Sequence, residues 1–342
     1  MSELPHVDGV ITGAEVRATA EWIASLQLPD GMIPWNLGGH CDPWNHIETA
    51  IALDIAGMHA EAEHAYEWLA QTQRPDGSWF NYYNSDGTIE DAKLDTNVCA
   101  YIASGAWHHW LCTGDRAFVD RFWPVVRAAL DWVLTLQTPR GTIVWAREVD
   151  STPWDYALLT GSSSIWHALE CGVLIGELIG EHRPQWTTAA VALRHAITDR
   201  PDWFEPKDRW AMDWYYPVLT GALVGAPAKA RLAESWDTFA MEGKGIRCVS
   251  DQPWVTAAET AECSLSHAAI GDMTTAGDLL RWTRAHRDAD GAYWTGVVYP
   301  KRIHFPDGEH TAYTGAAVIL AADAICGASP ASELFVHDPI DD

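Results

Sequence analysis

The fold class this sequence predicts is all-α: an (α/α)6 toroid, six inner helices enclosed by six outer ones. Two observations predict it. A Trp and a Gly nine positions apart recur five times, as Trp22/Gly31, Trp68/Gly77, Trp132/Gly141, Trp236/Gly245 and Trp282/Gly291. Three copies share a longer text, "EWIASLQLPDG" at 21–31, "EWLAQTQRPDG" at 67–77 and "DWVLTLQTPRG" at 131–141. Repeats of this size mark units that cannot bury their apolar faces alone and so stack into arrays or rings. The second observation is that two kinds of helical segment alternate along the chain.

The first kind is amphipathic and covers about 13–27, 58–73, 115–137, 184–199, 227–241 and 272–286. Apolar residues recur at i, i+3 and i+4 with charges between them, as in Phe118, Phe122, Val125, Val126, Ala129, Trp132 and Val133. The second kind is almost uncharged and rich in small residues: "IETAIALDIAG", "TNVCAYIASGAW", "SSSIWHALECGVLIGELIG", "YPVLTGALVG", "ETAECSLSHAAIG" and "TAYTGAAVILAADAI". A helix that is apolar all round is buried on all sides. The fourth unit lacks the Trp/Gly signature, so there the count of six rests on the alternation alone. Short β-hairpins are expected only in loops such as 142–149 and 292–303.

A chain of 342 residues would by length suggest two domains. Units running from about 12 to 326 argue instead for one toroid over 1–342, ending in an acidic tail at 327–342. The formal charge of −25 disfavours nucleic acid and anionic membrane surfaces, which need positive potential. It fits a neutral polysaccharide or oligosaccharide. No apolar run approaches the roughly 18–20 residues that span a bilayer. Seven cysteines without a CxxC, and no apolar leader, point to a reducing cytoplasm. An exposed Trp patch would serve equally as a homodimer surface.

The longer loops leading into inner helices (28–42, 74–94, 138–155, 200–213, 243–258 and 287–309) fall on one face of the ring. These loops, with the first turns of the helices they enter, hold Trp35, Trp44, Tyr82, Trp145, Trp154, Trp210, Tyr215, Trp254, Trp294 and Tyr299. Flat rings with a polar edge suit the C–H faces of sugars, and equally an isoprenoid chain; about half would simply plug the ends of the ring.

Acids separate those ligands. Asp42, Asp95, Asp155, Asp213 and the pair Glu259 and Glu262 stand at or near the starts of inner helices. Asp is a preferred N-cap, and "DP" at 42–43 reads as a cap followed by Pro at N1. Glu259 and Glu262 are harder to assign to capping. They share one helix face in an otherwise uncharged run, where desolvation of a carboxylate is costly. Burial would raise the pKa, as a general acid requires. Spacing does not decide which of the two faces the cavity; Glu262, one turn in, is favoured.

"GGHCDPWNHIETA" at 38–50 is the densest polar run, with Asn45 and His46 within one turn of Asp42. Glu148, His310 and Tyr313 join the rim from neighbouring segments. No HExxH or paired CxxC is present, so neither metal nor cofactor is expected. His108 and His109, late in an inner helix, are read as structural. Two carboxyls flanking a bond are what glycosidic hydrolysis needs: one gives a proton to the leaving oxygen, the other activates water or attacks.

The "PDGSWF" turns resemble the QW-type repeats of terpenoid cyclases and prenyltransferases, but the DDxxD and DxDD acids of those enzymes are missing. Over about 10–326 the chain more closely resembles the actinobacterial methylmannose polysaccharide hydrolases. The segments that carry this are "GGHCDPWNHIETAIALD", "QRPDGSWFNYY", "LDTNVCAYIASGAWHHW", "STPWDYALLTGSSSIWHALECG" and "VTAAETAECSLSHAAIGD". The resemblance implies an (α/α)6 glycoside hydrolase cutting internal α-1,4 bonds of a partly O-methylated mannan, with Asp42 and Glu262 as the acid/base pair. Inversion is the outcome common to such toroids. The competing readings are another enzyme on the same ring (a cyclase, sugar epimerase or lyase) and a silent carbohydrate-binding toroid.

Overall fold

The computed structural model describes residues 3–336, and "HDPIDD", the end of the expected acidic tail, lies outside them. Outer and inner helices alternate as the hydropathy pattern requires. Outer α1 (Gly13–Ser25) leads to inner α2 (Pro43–Ile55), and outer α3 (His59–Thr72) to the inner pair α4 (Thr96–Ala100) and α5 (Ile102–Thr113). Outer α6 (Arg116–Leu134) and inner α7 (Leu159–Ile179) follow, then outer α8 (Pro184–Asp199) and inner α9 (Ala211–Leu219). Outer α10 (Gly225–Glu234) with α11 (Trp236–Phe239) precedes inner α12 (Ala257–Ala269), and outer α13 (Met273–Trp282) precedes inner α14 (Ala312–Cys326). Each inner helix packs on the next, and α14 returns to α2, closing the ring.

The two kinds of helix are buried as their compositions demand. On α6 one stripe, including Phe118, Phe122, Val126, Ala129 and Val133, faces inward. On α14 almost every residue from Ala312 to Ala324 is buried.

The repeated text is a joint between outer helices. The Gln that follows each helix donates from Nε2 both to its own turn and to the next outer helix. Gln27 reaches the Gly31 carbonyl at 3.1 Å and that of Glu61 at 2.9 Å. Gln73 reaches Gly77 and Val125, both at 3.0 Å. Gln137 reaches Gly141 at 3.1 Å and Ala189 at 3.0 Å. The glycines are required twice over. Gly77 has φ +95°, and a Cβ there would lie 2.2 Å from the Ala128 carbonyl oxygen of α6. Gly291 stands likewise against Ala18, joining the last unit to the first. Thr19 strengthens that seam by donating to the Gly291 carbonyl at 2.8 Å.

Two expectations change. Trp236/Gly245 shares the spacing and not the structure: Trp236 opens α11, and Gly245 lies in a strand, pressed against Thr260. The β-structure is also more organised than isolated hairpins. Besides β1 (Tyr82–Tyr83) with β2 (Ile89–Asp91), β3 (Leu94–Asp95) pairs with β4 (Ala146–Arg147) from a different loop. β4 thus replaces the local hairpin expected at 142–149. A five-stranded antiparallel sheet runs β5 (Ala240–Met241), β6 (Gly245–Arg247), β7 (Trp254–Thr256), β8 (Trp294–Val298) and β9 (Ile303–His310). Its central pairing, Trp254 opposite Val298, ties the loop before α12 to the loop before α14. These additions wall one mouth of the ring.

Candidate active site

The loop before α2 places an acid at the ring's mouth. Asp42 is extended and caps α2, with Pro43 at N1. Its Oδ1 accepts from the Asn45 amide at 2.9 Å; its Oδ2 accepts from Asn45 Nδ2 at 2.6 Å and from Trp35 Nε1 at 2.7 Å. Burial pushes this carboxyl above its ordinary value, and the Asn45 and Trp35 donors oppose that push. Asp95 repeats the arrangement at α4. Its Oδ1 accepts from the Asn97 and Val98 amides, and Trp145 Nε1 donates to its Oδ2. Burial raises it to about 6, against the pull of Lys93 and these donors.

The start of α12 contributes two more acids. Glu259 stands in the first turn, where the Thr256 hydroxyl donates to it. Glu262 is one turn deeper and buried, and accepts from the Tyr215 hydroxyl of α9. Burial, the like charge of Glu48 and that of Glu259 together hold Glu262 well above the usual carboxylate range.

These acids line one cavity of about 420 Å³, bounded also by Trp35, Trp44, Asn45, Tyr82, Trp145 and Tyr313. Sequence reasoning named all of these. It did not name Asn81, Lys93, Asn97, Val98, Thr160, Met212, Tyr216 and Cys248, which complete much of the wall. Single polar residues in loops, and tyrosines in apolar helices, carry no sequence signal that separates them from packing. Glu48 beneath the wall was also missed. It is an acid in an almost uncharged inner helix, the same kind of signal that marked Glu259 and Glu262.

Other expected site residues lie elsewhere. His46 is buried as a brace: its Nδ1 accepts from the Ile33 amide at 3.1 Å and its Nε2 lies 2.9 Å from the Ala65 carbonyl. Asp155 is exposed beside Tyr156 and Trp203 in a separate surface cavity, and α7 begins at Leu159 with no side-chain cap. Asp213 sits inside α9, where Thr160 donates to it at 3.3 Å. Trp154 packs edge-on against Trp145 at 4.6 Å and donates to Glu148 at 2.8 Å, a layer behind the wall. Tyr215 stands behind Glu262.

The sheet holds the remainder. Trp254 faces Phe305, and His310 lies against Trp294 and 3.2 Å from Asp288. Tyr299 lies beneath the Lys244 ammonium. None of these lines the cavity. His109 is fully buried and bonded to Asp54, the structural role expected of it.

A second cavity of about 470 Å³ lies at the other end of α12, beside Lys229, Trp236, His267 and Asp272. It holds one carboxyl where the mouth holds four, Asp42, Asp95, Glu259 and Glu262. Among the described residues no helix is long and apolar enough to cross a membrane.

The fold is shared with solved carbohydrate enzymes. A wild-type glycosidase matches at TM-score 0.74 and 15% identity, over 92% of this chain and 97% of that one. A cellobiose 2-epimerase of Spirochaeta thermophila matches at TM-score 0.68 and 14% identity, over 90% and 95%. No protein-family model matches the chain. Fold and site together define an α/α toroid with carboxyls set among indoles at its mouth. The MMP endo-(1,4)-3-O-methyl-alpha-D-mannosidase of Mycolicibacterium hassiacum is 48% identical over 335 residues, 98% of this chain and 92% of that protein. The chain belongs to the family of that endo-mannosidase.

Proposed function

We propose that this protein cuts internal α-1,4 bonds of a 3-O-methylated mannose polysaccharide, with Glu262 as general acid and Asp42 as general base. The observation that carries the assignment is that both carboxyls line one cavity in opposite hydrogen-bonding environments. Asp42 is met by three N–H donors, which favour its charged form, and it keeps an Oδ1 lone pair for a water proton. Glu262 is met by one hydroxyl and by neighbouring acids, which favour its protonated form.

In the reaction Glu262 gives its proton to the glycosidic oxygen as the bond to the anomeric carbon breaks. Water attacks that carbon from the opposite face while Asp42 takes the water proton. Both Asp42 oxygens already accept hydrogen bonds, which suits proton transfer from water better than bond formation to carbon. Inversion is therefore the expected stereochemistry. Methyl groups make each sugar more apolar, and the rings of Trp35, Trp44 and Trp145 offer matching surface. The wall residues include no histidine to shuttle a proton at a sugar carbon, which argues against the epimerase reading. Seven unpaired thiols fit a reducing cytoplasm.

The test is incubation with a methylated α-1,4-mannan, following oligosaccharides and new reducing ends. Asp42→Asn and Glu262→Gln should each lose roughly 10²-fold or more. Absence of cleavage by the parent, or parental rates in both variants, overturns the proposal. An early product anomer of the substrate's own configuration overturns inversion alone.

A further inference from the structure

Glu48 and Glu262 both lie buried in the inner ring, and among the described residues neither forms an ion pair. Glu48, on α2, is 6% exposed, and Glu262, on α12, is 5% exposed. Their helices both pack on α14, which lies between them, and aromatic rings connect the two acids: Trp44 lies 6.4 Å from Tyr216, itself 6.2 Å from Tyr215. Each is met by one hydroxyl: Tyr101 donates to Glu48 Oε1 at 3.0 Å, and Tyr215 donates to Glu262. Tyr216, in the cavity wall, feels the charge of both. Tyr101 in turn stacks on the wall residue Trp44 at 4.7 Å.

Among the described residues the groups facing Glu262 are Glu48 of α2, Tyr215 and Tyr216 of α9, Tyr101 before α5, and Glu259 and Cys263 of its own helix. Glu48 is faced by Asp42, Tyr101, Tyr216 and Glu262. Among the described residues no cation of the other packed elements, α13 and α14 included, acts on either acid. Ionising both would place two uncompensated charges in a desolvated space, so the pair holds a proton in common.

We propose that Glu48 is a positioning residue for the hydrolysis, acting through Glu262: the two carboxyls form a proton-sharing pair, and the shared proton is the one delivered to the leaving oxygen. Tyr101 donates to Glu48 as Tyr215 does to Glu262, so the two hydroxyls offset; burial and the like charges of Glu48 and Glu259 keep the proton on Glu262. After transfer the charge is shared with the tyrosines, and the pair is reprotonated from solvent as product leaves. This rests on the assignment of Glu262 as the acid.

The experiment is the pH profile of kcat/KM on methylated mannan for the parent, Glu48→Gln and Tyr101→Phe, with thermal unfolding as the check on folding. Gln keeps an acceptor for Tyr101 and removes the charge. Glu262 then gives up its proton more readily, and the alkaline limb of Glu48→Gln should move down by about one pH unit or more. Tyr101→Phe removes a donor that stabilises the charge on Glu48, so it should move the same limb the opposite way, upward and by less, and it carries the test if Glu48→Gln does not fold. A merely structural Glu48 would lower stability and leave the limb in place. An unmoved limb in a folded variant, with Glu262→Gln inactive, overturns the pairing and spares the acid assignment. Parental activity in Glu262→Gln would instead overturn the assignment itself.

Discussion

Trp35→Phe tests the base directly. The indole N–H donates to Asp42 Oδ2 at 2.7 Å, and Asp42 is buried, so solvent does not replace a lost donor cheaply. A hydrogen bond to a charged group contributes about 1.5–3 kcal/mol. At about 1.4 kcal/mol per pKa unit, losing it raises the folded pKa of Asp42 by about one to two units. Asp42 works ionised, so the acid limb of kcat/KM moves to higher pH by that amount. The alkaline limb, set by Glu262, stays in place, and the active range narrows from the acid side only. Phe preserves the edge contacts that Trp35 makes with Tyr82 at 5.9 Å and Tyr313 at 5.0 Å. Trp145→Phe makes the matching cut at Asp95 and should leave the acid limb unmoved. If Trp145→Phe shifts the limb and Trp35→Phe does not, the base is Asp95 and the reasoning fails.

Two stability outcomes follow from the same geometry. Gly77→Ala and Gly57→Ala both put Ala at positive φ, +95° and +73°, but only the first meets a neighbouring backbone, while Gly57 faces open space. Gly57→Ala should lose about 1–2 kcal/mol in urea unfolding, and Gly77→Ala at least about 2 kcal/mol more; equal losses would mean the contact with α6 contributes nothing. Burial raises Asp54, but its bonds from His109 and His59 outweigh burial and hold it below its ordinary value. Its contribution is complete above the unfolded value and disappears as pH falls through the folded one. Asp54→Asn should therefore lower the urea midpoint most near about pH 6, and progressively less as pH falls below the unfolded carboxylate value; a loss that does not change with pH would exclude the ion pair as its source.

Much of the ring was legible because its causes are local. A 3.6-residue apolar stripe makes an outer helix, and an uncharged run makes an inner one, wherever they occur in the chain. The Trp/Gly text was legible as a repeat, and its meaning as a joint emerged only with Gln73 bonded to Val125 of the next helix. Spacing alone misled at Trp236/Gly245, because the same interval also fits a helix followed by a strand. The five-stranded sheet was not legible, since β7 and β8 lie in separate loops and neither pairs locally.

The sequence by itself determined the alternating ring, its mouth, and the presence of acids at the starts of α2, α4 and α12. What each acid does was decided in three dimensions. Glu48 and Asp54 both lie on α2, the two acids of an otherwise uncharged helix. Asp54 meets His59 and His109 and becomes a structural ion pair, while Glu48 meets Tyr101 and the field of Glu262. Helical periodicity fixes the side of a helix from which a carboxyl projects. The group waiting opposite, which sets whether that carboxyl is charged, comes from another helix whose place only the closed ring defines.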